Sequence, residues 1–214
     1  MSHEVWAETG VKYALNNKIS LSVDLTQRYG TYGLATVFPQ MSIRYKVAKW
    51  FRPSIDYRWI SSREFDHPFE SAHRLNGNLQ FDYVKKRMSL GFRVRYQYNF
   101  QSLVAQYDTE FDRAWRIKPS LSYDFNNLPV TPNASLELFY SANNGPTGKQ
   151  FTRVRYYFGA ELDTKGPHAF DLGIFMDQWL NAIPKKRIMY SIGYCYSIGS
   201  PEKEKKKSKN LRDL

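Results

Sequence analysis

Residues 88–100, MSLGFRVRYQYNF, alternate between apolar and polar side chains without an error. In an extended chain Met88, Leu90, Phe92, Val94, Tyr96, Tyr98 and Phe100 share one face, and Ser89, Gly91, Arg93, Arg95, Gln97 and Asn99 share the other. Strands in globular proteins average roughly 5 to 6 residues. A strand this long and this regular points to a closed barrel that crosses a membrane, where each strand shows lipid only every second residue.

The same period recurs along the chain. Eleven segments keep it, at about 4–15, 19–29, 38–47, 50–61, 73–85, 88–100, 113–125, 133–142, 152–163, 168–179 and 187–198. Most reach the roughly 9 to 11 residues that a tilted strand needs to cross a bilayer. No amphipathic helix of useful length competes with them.

The connections alternate in length. Short turns are expected at 16–18, 48–49, 86–87, 126–129 and 165–167, and longer loops at 30–37, 62–72, 101–112, 143–150 and 181–186. Tight turns at one rim and longer loops at the other are the construction of outer-membrane barrels.

One face of these segments is apolar and carries aromatics near both ends. Tyr13, Tyr45, Phe51, Tyr83 and Tyr123 fall near the short turns, and Trp59, Tyr98, Trp115, Tyr140 and Tyr156 toward the long loops. Two such rings are expected where a barrel meets the two headgroup layers. A soluble barrel of the lipocalin type would instead bury its apolar set and show charge outside.

The other face is charged. Its candidate lumen-lining residues are Arg44, Arg52, Asp56, Arg58, Arg74, Asp82, Arg93, Arg95, Arg116, Lys118, Glu137, Arg153, Arg155, Glu161 and Asp171. Further charges at Glu4, Glu8, Lys12, Asp24, Arg28, Lys46, Asp124, Asp163, Asp177 and Arg187 bring the face to fourteen basic against eleven acidic side chains. Unpaired charges in a narrow lumen are costly, so cross-strand ion pairs are expected. Two readings follow: a lumen packed shut by those pairs, or a water-filled path whose cationic stripe favours anions.

Composition narrows the classes. The net charge of +11 invites a nucleic-acid reading, but the basic residues are spread one or two per strand, so no nucleic-acid partner is expected. No run approaches the roughly 20 apolar residues of a spanning helix. Cys195 is the only cysteine, which excludes an intrachain disulfide and reads as a small packed strand residue. Residues 1–10, MSHEVWAETG, read as strand and not as a secretory leader, which for an exported protein implies a mature chain or a misplaced start. Residues 199–214 read as a basic, disordered tail beyond a barrel domain at 1–198.

No catalytic signature emerges. The histidines are His3, His67, His73 and His168; only His67 and His73 lie in or beside a long loop, near Ser61, Ser62 and Ser71, without the spacing of a nucleophile, base and orienting group. The His and carboxylate residues do not cluster at metal-ligand spacings. The run GPTGK at 145–149 lacks phosphate-loop spacing and reads as a polar hairpin tip.

The stretches HRLNGNLQFDYVKKRMSLGFRVRYQYNF, FDRAWRIKPSLSYDF, VTPNASLELFYS, FTRVRYYFGAEL and MYSIGYCYSI resemble the Bacteroidota outer-membrane family catalogued as domain of unknown function 2490, over about residues 6–198. The resemblance implies an outer-membrane β-barrel with no established activity, cofactor or catalytic residue to carry over. Bacterial barrels with both termini in the periplasm need an even strand count, so a strand before Trp6 is expected, giving about twelve.

The expectation is therefore an all-β, antiparallel up-and-down transmembrane barrel in the outer membrane of a Gram-negative bacterium. It is a small channel or structural barrel with a charged lumen, in contact with outer-membrane lipids and, as a further partner class, a larger outer-membrane complex. No cofactor or catalytic residue is expected. The alternatives are an outer-membrane lipid hydrolase, of the phospholipase or lipid A deacylase type, and a soluble ligand-binding barrel.

Overall fold

The computed structural model describes residues 2–63, 68–101, 113–125, 128–141, 149–164, 166–180 and 186–199. His67, most of the GPTGK run and the tail at 200–214 lie outside the described residues. Eleven strands form the fold: β1 Ser2–Ala14, β2 Ile19–Gly30, β3 Gly33–Tyr45, β4 Phe51–Ser62, β5 Glu70–Lys85, β6 Met88–Gln101, β7 Arg113–Tyr123, β8 Val130–Ser141, β9 Gln150–Asp163, β10 His168–Trp179 and β11 Lys186–Ile198. Each pairs with its sequence neighbours, and the ring closes into a barrel.

Closure corrects the expected strand count. β1 already runs from Ser2, and its second edge is taken by β11 in parallel, from Ser2 opposite Arg187 to Tyr13 opposite Ile198. The ten other pairings are antiparallel. A parallel ladder satisfies edge N–H and C=O groups as an antiparallel one does, so the ring closes on an odd number without a twelfth strand.

The connection at 30–37 is a second correction. It is a tight hairpin, with Gly30 opposite Gly33, and β3 begins there. Gly33 adopts φ +88°, a left-handed conformation that glycine reaches without steric cost. Register slips beside this turn, between Arg28 and Tyr29, where a bulge absorbs one residue.

Two prolines interrupt the strand ladders. In the β3–β4 ladder the pairs jump from Val37–Ser61 to Gln40–Arg58, passing over Phe38 and Pro39; in β7–β8 they jump from Ile117–Leu138 to Ser120–Ser135, passing over Pro119. A proline has no N–H to donate, and in a closed ring that missing bond must fall on one of its two neighbours.

The faces separate by parity. Large apolar residues stand exposed on the outside along the ring, among them Val11, Val23, Ile43, Ile55, Leu79, Phe92, Leu121, Phe158, Ile174 and Ile192. The buried set is mostly polar and points inward: Asp56, Asn76, Asn78, Arg95, Gln97, Arg116, Glu137, Arg153, Arg155 and Asp177. The protein is thus apolar outside and charged inside.

Inward glycines make room for large lumen side chains. Gly159 and Gly173 face each other across β9 and β10, and the Tyr157 ring lies over both, covering the space their side chains would fill. A Cβ on Gly159 would also stand 2.7 Å from the Leu172 carbonyl oxygen, a backbone atom that cannot swing away. Gly77 on β5 lies instead on the outer face between the exposed Leu75 and Leu79, with open space where a Cβ would stand. We expect Gly159→Val to destabilise the barrel by about 1–3 kcal/mol through overpacking. Gly77→Ala should stabilise it by up to about 1 kcal/mol, since alanine loses less backbone entropy in a strand. Urea-unfolding midpoints of the detergent-solubilised chains check both.

Candidate functional site

Within the lumen lies a cavity of about 930 Å³. It reaches from Ser2, Ile60, Trp179 and Lys186 at the long-loop rim down to Lys118, Tyr157 and Asp171. Its basic lining is Arg28, Arg58, Arg74, Arg116, Lys118, Arg153, Arg155, Lys186 and Arg187; its acidic lining is Glu4, Glu8 and Asp171. Eight-stranded barrels are filled by their side chains and those of 16 to 18 strands hold open channels, so a partly filled interior suits eleven.

The ion pairs run along the wall. Asp177 on β10 is fully buried and serves three guanidiniums. Arg155 grips it with two bonds, Nε to Oδ1 at 2.5 Å and Nη2 to Oδ2 at 2.8 Å; Arg153 Nη1 stands 3.2 Å and Arg187 Nη2 2.9 Å from Oδ2. Arg187 continues to Glu4 at 3.1 Å, carrying the network across the parallel seam from β11 to β1. Glu137 on β8 accepts two bonds from Arg116, at 3.1 and 2.7 Å, and one from Arg93 at 2.9 Å. Asp56 on β4 accepts from Arg95 at 3.0 Å and from Asn78 at 2.8 Å. These clusters join strands one or two places apart around the ring, so they stiffen the wall beside the cavity.

The other lumen candidates occupy lighter settings. Arg52 pairs with Asp82 where both are partly exposed. Arg58 donates from Nε to Gln40 Oε1 at 2.9 Å, and Arg74 from Nε to Asn99 Oδ1 at 2.7 Å. Arg44 stands between Ser20 and Ser54 in register. Glu161 stands opposite Asp171, whose carboxylate fills the space over Gly193. Lys118 has its ammonium 5.9 Å from the Tyr157 ring centre.

A second layer of the lumen was not singled out in the sequence. Trp6, Phe38, Phe139, Tyr157, Phe175 and Trp179 line the cavity, and the guanidiniums stack on them: Arg153 lies 4.0 Å and Arg116 4.5 Å from the Phe139 centre, Arg155 5.0 Å from Trp6, and Arg187 5.1 Å from Trp179. Stacking holds the charged planes against apolar surface while their edges remain available for hydrogen bonds. The signal was parity: Trp6 stands between Glu4 and Glu8, Phe139 two residues after Glu137, and Phe175 two before Asp177.

The outward aromatics form the other candidate group. Tyr13, Tyr45, Tyr83 and Tyr123 are exposed near the short turns, and Trp59, Tyr98 and Trp115 are exposed toward the other rim. Tyr140 is half-buried, packed edge-on against Phe151. Tyr156 is paired with Leu136 and Met176, nearer the middle of β9 than its end.

The described histidines lie on the outer wall, each against a tyrosine. His73 Nδ1 is 2.7 Å from the Tyr57 hydroxyl, His168 Nδ1 2.9 Å from that of Tyr194, and His3 Nδ1 3.4 Å from that of Tyr190. Among the described residues no three His, Cys, Asp or Glu side chains are grouped to hold a metal ion.

The family described as a protein of unknown function (DUF2490) matches residues 3–189. The chain belongs to that family. The matched span takes in the whole of β1 through β10 apart from Ser2, and therefore both the Asp177 and the Glu137 clusters of this DUF2490 barrel. No curated protein matches it. Among solved structures, one from work described as unveiling the mechanism behind the in-meso crystallization of membrane proteins is 12% identical, covering 87% of this chain and 80% of its own, with a TM-score of 0.42.

The clusters differ in what they contribute. Removing one member of a buried charge group leaves its partners uncompensated, at about 3–5 kcal/mol, whereas an exposed pair contributes about 0–1 kcal/mol. Asp177→Asn should destabilise the barrel by the larger amount, because three guanidiniums lose their counter-charge. Asp82→Asn should cost under about 1 kcal/mol, since the Arg52 side chain is 37% exposed. Unfolding midpoints measured in one detergent would show the difference, and equal shifts would remove Asp177 from its central place.

Proposed function

We propose that the protein spans the outer membrane of a Gram-negative bacterium of the Bacteroidota and acts there as a small channel whose lumen favours anions. The observation that carries this reading is a closed wall, apolar outside, around a cavity with nine basic and three acidic lining residues.

The outer face supports the membrane part. Soluble monomers rarely show contiguous apolar patches beyond a few hundred Å², whereas here apolar residues are exposed around the ring. The shortest strand has 11 residues and the longest 16. Eleven residues at about 3.3 Å each, tilted about 45°, span roughly 26 Å, close to the apolar band of outer-membrane barrels. Lipid then solvates the outside, and the charged side chains stay within the ring.

The lumen supports the channel part. Rings of basic side chains attract anions and repel cations at close quarters. The ion pairs join strands one or two places apart around the ring, which supports a lumen with its cavity between them.

Reconstitution in planar bilayers under a salt gradient is the test. The expected result is a small unitary conductance whose reversal potential shows anion preference, weakened by Lys118→Glu, which reverses one charge of the lining. Insertion without any conductance would reduce the protein to a structural barrel. A folded chain that stays monodisperse in buffer without detergent would overturn the membrane assignment itself.

A further inference from the structure

Two arginines lining the cavity share one aromatic ring. Arg28 on β2 has its guanidinium carbon 4.0 Å from the Trp6 ring centre and 4.7 Å from that of Phe38. Its Nε is buried without a hydrogen-bond partner, and among the described residues no carboxylate stands within ion-pair distance of it. Arg58 on β4 lies 4.3 Å from the same Phe38 ring, and its bonds go to the neutral Gln40 amide oxygen. Two cations thus share one aromatic ring, and neither is in an ion pair among the described residues.

The fold places them there. Phe38 and Pro39 have no partners in the β3–β4 ladder, and pairing resumes at Gln40 opposite Arg58, whose guanidinium comes beside the Phe38 ring. Thr26, the preceding inward residue of β2, gives its hydroxyl to Glu8 at 3.2 Å. Stacking covers the flat faces of a guanidinium and leaves its N–H edge to hydrogen-bond, and that edge matches the oxygens of a carboxylate or phosphate. Elsewhere in the lumen Asp177, Glu137 and Asp56 supply those oxygens to the arginines they pair with; among the described residues no carboxylate pairs with Arg28, and Arg58, whose Nε and Nη2 donate to Gln40, keeps its Nη1 to donate.

We propose that Arg28 and Arg58, held by Trp6 and Phe38, form a binding site for an oxyanion, a phosphate or carboxylate carried on a flat apolar group, which enters from the long-loop rim. The proposal deepens the channel reading and rests on it for access to the lumen. The oxygens take the Arg28 edge and the Arg58 Nη1, and the apolar part lies against the aromatic lining near Phe175. The same phosphate chemistry is offered by a free small anion and by a lipid headgroup.

Calorimetric titration of the full chain in detergent, with phenyl phosphate and with inorganic phosphate, tests it. The expected result is saturable binding of phenyl phosphate, tighter than inorganic phosphate and competed by it. Arg28→Gln and Arg58→Gln should each weaken binding about tenfold or more, the usual effect of losing a charge-assisted bond. Lys18→Gln, a charge removed from the β1–β2 turn, should leave it within about twofold, because screening isolates an exposed charge at that distance. The heat-modified gel mobility of each variant shows whether its barrel is folded; should Arg28→Gln not fold, Arg28→Lys keeps the charge, loses the fork and is read in its place.

Displacement of phenyl phosphate by diphosphorylated lipid A in mixed micelles assigns the site to a headgroup, and failure to displace assigns it to a free anion; both keep the site. No saturable binding of either phosphate up to about 10 mM would overturn it. So would equal loss in Lys18→Gln and the two arginine variants. Conductance that persists without binding removes this site and leaves the channel, whereas binding without conductance removes the channel and leaves the site.

Discussion

Closure of the sheet governs everything else in this molecule. A strand left at an edge would expose a row of unpaired N–H and C=O groups, and in lipid each such group costs several kcal/mol. The parallel seam between β1 and β11 removes both edges at once. Once the ring is shut, alternate side chains have only two destinations, the outer surface or a confined lumen. The apolar exterior and the charged interior are two aspects of one backbone constraint.

The interior then solves a crowding problem. Many guanidiniums face a narrow space, and their mutual repulsion must be offset. The structure uses two devices. Carboxylates are shared, so that Asp177 answers three arginines and Glu137 two. Aromatic rings are the second device, with Phe139 meeting Arg116, Arg153 and Arg155 in addition to their carboxylates on one wall and Phe38 meeting Arg28 and Arg58 on another. Where the first device is present the lumen is tied to its wall. Where only the second is present the charge remains available to a visitor.

The seam also links closure to the lumen. Arg187 on β11 bonds both Asp177 on β10 and Glu4 on β1, so the electrostatic network passes through the junction that the backbone closes in parallel. Hydrogen bonding and charge pairing therefore stabilise the same place. The prolines act in the opposite sense: Pro39 and Pro119 each remove a ladder bond, and the gap at Pro39 adjoins the Phe38 ring on which two arginines stack.

Much of this was readable along the chain, because alternation is a local property: in an extended backbone successive side chains must point to opposite faces, whatever the rest of the fold does. Eleven segments, their two faces and the parity of Arg93, Arg95 and Arg116 follow from that alone. The same parity put Trp6, Phe139 and Phe175 inside, although an aromatic among charges was easily passed over. Local pattern failed at residues 30–37, where a glycine able to adopt φ +88° turned an expected loop into a hairpin. It failed again at the seam, since the partner of a first strand is set by how the ring closes and not by any neighbouring residue. The sharing of Asp177 among β9, β10 and β11, and the cavity left beside Arg28, depend on register between strands, which is set by pairing between residues far apart along the chain and not by alternation within one strand.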